Sequence, residues 1–281
     1  MAKIKIVTDS SCGITEEEKV KYDVSIVPLS VMIDDTVYVE GETISNEEFI
    51  KKMDKSASLP KTSQPPLGRF VDLFDKLGED GSSVICFNML EAISGTVHAA
   101  EQAATLSKTD VTVVDSQYTD RALAFQVIEA AKLAQAGAGK EEILKRARFV
   151  RDHTKLYMGV VNLENLVKGG RLGRLSGMIG GLLNIKIVLQ VENGELKVLN
   201  RGRGMKSLKK FYDGVYTKMK DASKIASVGI SHVEAFDMVH DIKSHVGQFF
   251  PEDQICVRET VPIIATHAGM GAFCLMYFTE E

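Results

Sequence analysis

The chain has 281 residues, 44% of them hydrophobic and 26% charged, with a net charge of -4 and no Trp. That length can bury one large core or two moderate ones. The acidic balance excludes the dense cationic surface that nucleic acid requires, and the missing Trp removes the best base-stacking side chain.

The first residues, Met1-Ala2-Lys3-Ile4-Lys5-Ile6-Val7, run straight into a strand-like segment, without the apolar core and cleavage site of a signal peptide. No stretch approaches the roughly 20 apolar residues of a membrane span. Cys12, Cys86, Cys256 and Cys274 are scattered, without metal-ligand spacing. A cytoplasmic protein with reduced thiols and no bound metal is expected.

In chain order, Lys3–Thr8 reads as a buried strand and Thr15-Glu16-Glu17-Glu18 as the opening of a short helix. Val24–Ile33 is β-branched enough for a single strand. Ser45-Asn46-Glu47-Glu48 has capping-box spacing and introduces Phe49, Ile50 and Met53 on one helical face. Pro66 is expected as a first helical residue, ahead of Phe70, Leu73, Phe74 and Leu77. Ser83–Phe87 is a strand. Ser94 is expected to cap the Ala-rich helix ending near Leu106. Val111–Val114 is a strand, Ala122–Ala136 a helix stopped by Gly137, and Lys140–His153 a charged helix.

Strands alternating with crossover helices predict a parallel sheet covered on both faces, with ligands outside the carboxyl ends of its strands. Asp9-Ser10-Ser11, Asp115-Ser116 and the Ser94 turn fall at such ends. The second half reads differently. Leu156–Val161 is a strand, and Gly169–Gly181 is glycine-rich. Ile185–Val191 and Leu196–Leu199 flank the hairpin signal Asn193-Gly194. A helix over Ser207–Met219, a strand at Ile225–Ile230, a helix over Glu234–Phe249 and strands at Ile255–Thr260 and Phe273–Phe278 follow. We expect an α/β fold of two domains: a three-layer parallel-sheet unit over 1–154 and a mixed-sheet α/β unit over 155–281. The cleft between them is a natural ligand site.

Gly169-Gly170-Arg171-Leu172-Gly173-Arg174 matches neither nucleotide-binding glycine pattern. Its cations Lys168, Arg171 and Arg174, with Arg201, Arg203 and Lys206 further on, either face an anion or acidic partner or form a solvated face. Ser94 as a cap leaves free N–H groups at the positive end of a helix, where a carboxylate is stabilised. It lacks the Gly-x-Ser-x-Gly elbow of a hydrolase. His267 reads as a non-helical, glycine-flanked histidine, either structural or ligand-facing. Asp9 and Asp115 are turn-forming residues or orient a hydroxyl.

In order, Asp9-Ser10-Ser11-Cys12, Thr62-Ser63-Gln64-Pro65-Pro66, Ser94-Gly95-Thr96, Val114-Asp115-Ser116, Gly169-Gly170-Arg171-Leu172-Gly173, Asn184-Ile185-Lys186 and His267-x-Gly269-x-Gly271 resemble the DegV family, over essentially the whole chain. The resemblance implies two α/β domains and a long-chain fatty acid in a buried tunnel. It also implies a carrier rather than an enzyme, with no cofactor. FakB-like members present that acid to a separate fatty acid kinase, which makes an acyl phosphate for phospholipid metabolism. By resemblance, Thr62, Ser94 and His267 hold the carboxylate. Asp9, Ser63, Gly95, Thr96 and Asp115 support the head group or pocket. Arg171, Arg174, Arg201 and Arg203 dock the partner, and transient contact with a membrane surface fits a carrier of this class.

Three stretches depart from the family pattern: Thr119-Asp120-Arg121 where small residues are usual, Ile187 after Asn184-Ile185-Lys186 in place of Pro, and Ala268 and Met270 in the histidine motif. Asp120 and Arg121 either alter the pocket wall or form a surface ion pair. A C16-type tail gains on the order of 10 kcal/mol from burial, before ordering costs. Hydrogen bonds from Thr62, Ser94 and a protonated His267 would offset the cost of burying the carboxylate. The competing reading is a Ser/His hydrolase of a small lipid ester, using Ser94 and His267.

Overall fold

The computed structural model describes residues 3–171, 185–222 and 224–281. Strand β1 (Ile4–Asp9) leads into α1 (Glu16–Lys21), whose Thr15 and Glu18 form a reciprocal capping box. The stretch expected as one strand is two. β2 (Val24–Val27) pairs with β1, and the chain breaks at Pro28, which has no N–H to continue a ladder. β3 (Ser30–Ile33) and β4 (Thr36–Val39) then form a hairpin through Asp34 and Asp35, both at positive φ.

Helix α2 (Asn46–Lys55) is capped by Ser45 and Glu48 and buries Phe49, Ile50 and Met53. β5 (Lys61–Ser63) pairs with β3, placing Thr62 opposite Val31 and completing a small antiparallel sheet of order β4-β3-β5. This sheet has no counterpart in the sequence reading. α3 (Leu67–Gly78) follows, with Pro66 at the cap position rather than the first helical one. Next come β6 (Ser83–Asn88), a 3-10 turn at Glu91–Ile93, and α4 (Thr96–Leu106), capped by Gly95 rather than Ser94. β7 (Val111–Asp115), α5 (Asp120–Gln135) and α6 (Lys140–Asp152) close this half.

The parallel sheet has the order β2-β1-β6-β7. Val7, Val84 and Cys86 pack with Phe70, Phe74 and Ala100 of α3 and α4 on one face. Ile6, Ile85 and Phe87 pack with Leu123, Val127 and Ile143 of α5 and α6 on the other. This alternation is the period of two that a strand imposes.

The second half begins with β8 (Thr154–Val160) and α7 (Glu164–Lys168). β9 (Ile185–Glu192) and β10 (Glu195–Arg203) form the expected hairpin, with Asn193 and Gly194 both at positive φ. α8 (Met205–Asp221), β11 (Ile225–His232), α9 (Phe236–Val246), β12 (Ile255–Glu259), α10 (Pro262–Ala268) and β13 (Phe273–Thr279) complete it. The mixed sheet has the order β10-β9-β8-β13-β11-β12, with only β11 and β12 parallel among the described pairs.

Two features join the halves. α5 packs against β1 on one side and against β11 and β13 on the other, and is buried almost throughout its first three turns. The small sheet and α2 share a core with Ile263, Ile264 and Ala265 of α10. The space left between these elements holds the candidate site.

Candidate functional site

A cavity of about 360 Å³ lies between the carboxyl end of the parallel sheet, the small sheet, the mixed sheet and α10. Leu156, Met158, Leu189, Val191, Leu196 and Ile264 make its apolar wall. Thr62, Ser63, Gln64, Ser94, Gly95, Arg171 and His267 make its polar side. Ser63 and Gln64 are exposed, so the polar side meets solvent. No Asp or Glu is among the described lining residues.

Each polar residue is placed by a definable local cause. Thr62 comes from the three-residue strand β5, whose register with β3 sets it beside α10. Its hydroxyl lies 3.0 Å from His267 Nε2. His267 is in the last turn of α10, so the non-helical setting expected for it is corrected. Pro262 at the first helical position was the available signal for this short helix. Ser94 precedes the cap of α4. Its Oγ lies 2.8 Å from Thr96 Oγ1 and accepts a hydrogen bond from the Thr96 N–H at 3.3 Å. Gly95 packs under Gln64, since a Cβ there would stand 2.3 Å from Gln64 Oε1.

The electrostatics correct a further expectation. Burial, with the Arg171 guanidinium nearby, pushes the His267 imidazole down to about 4. It is therefore neutral at pH 7, not the protonated donor anticipated. Its Nδ1 has no partner among the described residues and lies against Gly169, where a Cβ would come within 2.4 Å. Arg171 lies in the cavity wall. It donates to the carbonyls of Gly169 at 2.8 Å and Ile93 at 3.3 Å. The sequence grouped it with docking cations and missed this position, which depends on contacts between distant segments.

Asp9 and Asp115 stand behind the cavity. Asp9 accepts from the Met89 N–H at 2.7 Å and the Ser11 N–H at 2.9 Å, fixing the rim after β6. Asp115 accepts from the Gln117 N–H and, at 3.4 Å, from the Glu91 N–H. Both carboxyls are raised, chiefly by burial. Thr96 is fully buried beside Ser94. Arg201 and Arg203 are exposed on β10, away from the cavity lining, while Arg174 and Asn184 lie outside the described residues.

Glu40 went unread because nothing near it in sequence marks it. It is 5% exposed, accepts from the Ile263 N–H at the start of α10, and meets the Ser10 hydroxyl. Burial pushes its carboxyl up to about 8. The Asp120-Arg121 departure is internal rather than a surface pair. Arg121 forms a two-pronged ion pair with Glu18, and Asp120 accepts from Thr260. In the histidine motif, Ala268 lines the cavity and Met270 packs on the core shared by α2 and α10.

Among the described residues no helix could cross a membrane, and no group of three or more His, Cys, Asp or Glu could hold a metal. The sheets and the cavity between them define a two-part α/β protein with an internal apolar chamber. The family model described as "Uncharacterised protein, DegV family" matches residues 3–280, and the chain belongs to that family. A DegV domain-containing protein of Streptococcus pneumoniae is 47% identical over 276 residues, covering 98% of each chain. Two solved structures share the fold. DegV from Bacillus subtilis, described as a fatty acid binding protein, has a TM-score of 0.89 at 26% identity, over 99% of this chain and 100% of its own. A fatty-acid-binding DegV family protein from Thermus thermophilus has a TM-score of 0.88 at 28% identity, over 99% of each chain.

Proposed function

We propose that this chain is a cytoplasmic carrier that binds a long-chain fatty acid in the cavity and presents its carboxylate to a separate fatty acid kinase. The observation that carries this reading is an apolar chamber whose polar side holds the hydroxyls of Thr62, Ser63 and Ser94, a neutral imidazole and a guanidinium, with no Asp or Glu among the described lining residues. The fatty-acid-binding relatives of the same fold support it.

Thr62, Ser94 and His267 form the carboxylate site, with His267 acting through Thr62 rather than touching the anion. An anion accepts hydrogen bonds, so the Thr62 hydroxyl must donate to it. That orientation requires His267 Nε2–H to donate to Thr62 Oγ1, leaving the lone pair on Nδ1. Ser94 donates to the second oxygen, and Arg171 supplies positive potential without a mobile proton. Asp9, Ser63, Gly95, Thr96 and Asp115 support this arrangement from the rim. Neutral donors keep the head group exchangeable, which suits transfer to another enzyme. Loading implies transient contact with a membrane surface. Arg201 and Arg203, exposed on β10, dock the kinase. We also propose the division into units 1–154 and 155–281.

Mass spectrometry of the denatured, purified protein tests the reading. A released long-chain acid is expected, and its absence together with no uptake in vitro would overturn it. For docking, Arg201→Glu with Arg203→Glu should leave lipid loading intact and abolish kinase-coupled phosphorylation. The hydrolase alternative has less support, because His267 Nε2 meets Thr62 while Ser94 meets Thr96. Turnover of an ester panel would revive it.

A further inference from the structure

The acyl chamber is not bounded by hydrocarbon on every side. Thr119, Leu156, Met158, Ile264 and Ala268 line both it and a second cavity of about 20 Å³. Behind that shared wall the small cavity is bounded by Asp120, Ser231, His232 and Thr260. Polar side chains at the edge of an apolar chamber are costly unless partners satisfy them. One contact does so: Thr260 Oγ1 donates to Asp120 Oδ2 at 2.5 Å. Three atoms have no partner among the described residues: Thr119 Oγ1, Asp120 Oδ1 and His232 Nδ1. Their residues are only 5%, 3% and 5% exposed, which shields them from bulk solvent.

The size and chemistry of this space select its guest. A volume near 20 Å³ admits a single water-sized group. A hydroxyl brings one donor and two acceptor lone pairs. It can donate to His232 Nδ1 and accept from the Thr119 hydroxyl, whereas Asp120 Oδ1 lies against Gly13, where a Cβ would come within 2.5 Å. A second carboxylate would meet the charge of Asp120, and a cation would meet only that one acid among the lining residues. A neutral O–H is the remaining match.

We propose that the small cavity is a hydroxyl-recognition site, and that the preferred ligand is a long-chain acid carrying one hydroxyl remote from its carboxylate. This rests on the carrier reading above and deepens it by naming the substrate class. The delipidated full chain is titrated with stearic acid and with monohydroxylated octadecanoic acids, the hydroxyl stepped along the chain. One regioisomer is expected to bind at least about tenfold tighter than stearic acid, because unsubstituted hydrocarbon leaves the buried polar atoms unpaired. Thr119→Val, which keeps the side-chain shape, and His232→Leu should each bring that ratio close to one. Circular dichroism and the melting temperature report that they have folded. If no regioisomer exceeds stearic acid, or the preference survives both substitutions, the space holds water only and the inference is overturned. If stearic acid and every hydroxylated acid all fail to bind, the carrier reading falls with it.

Discussion

Two buried side chains carry opposite titration behaviour, and each gives a measurable pH dependence. Glu40 has its carboxyl raised from an ordinary 4.5 to about 8 by burial, with Asp9 adding repulsion. The fold therefore binds a proton that the unfolded chain releases between those values. The stabilisation is complete below about pH 4.5 and is lost as pH rises through about 8. In denaturant titrations, Glu40→Gln should flatten the decline in stability between pH 6.5 and 8. An unchanged slope would show that Glu40 is not its source. His267 is lowered to about 4, so it holds no charge to lose near neutrality. Fatty acid affinity is expected to stay flat from pH 6 to 8. A loss of affinity centred near 6.5 would mean that an imidazolium binds the carboxylate.

At the scale of elements, what was legible in the sequence follows from periodicity. β1, β6 and β7, the capped helices α1 and α2, and the hairpin of β9 and β10 each carry an apolar period, a capping box or a turn signal. β5 carries none of these. Three residues, Lys61-Thr62-Ser63, become a strand only because β3 offers a free edge, and no local pattern announces that. α10 is short and buried all round, so it has no polar stripe from which a helical period can be read. Thr62, Ser94 and His267 were therefore recognisable by residue type and order, whereas Arg171 and Glu40 acquire their positions only through tertiary packing.

The join between α7 and α10 gives a further prediction. Gly169 ends α7 against the imidazole of α10, where any side chain would collide with Nδ1. Gly169→Ala should displace His267 and weaken fatty acid retention by about tenfold, the scale of one charge-assisted hydrogen bond. Circular dichroism should remain unchanged, since the glycine sits at a helix end. Normal retention would show that the imidazole is dispensable to the head group.

Across the whole molecule, ligand binding and folding should be linked. The cavity is walled by residues from both halves of the chain, so an acid that fills it binds the native state and not the unfolded chain. At a hundredfold excess over Kd this stabilises the fold by about 2.7 kcal/mol, or roughly 5–10 °C in Tm. Delipidated protein should therefore melt earlier than protein reloaded with a long-chain acid. Equal melting temperatures would mean that the cavity walls do not close on the ligand.

The placement of α5 has a consequence for how such a chamber is resized. Ala122 and Phe125 share a core with Leu90, Leu156 and Val191, three of the residues lining the cavity. The helix acts as a shim, and its girth fixes how far apart the opposing walls stand. Bulk added at Ala122 would press Leu90 and Leu156 inward and shorten the admissible tail. If the chain carries an acid as proposed, its selectivity for chain length can drift through a residue outside the cavity lining.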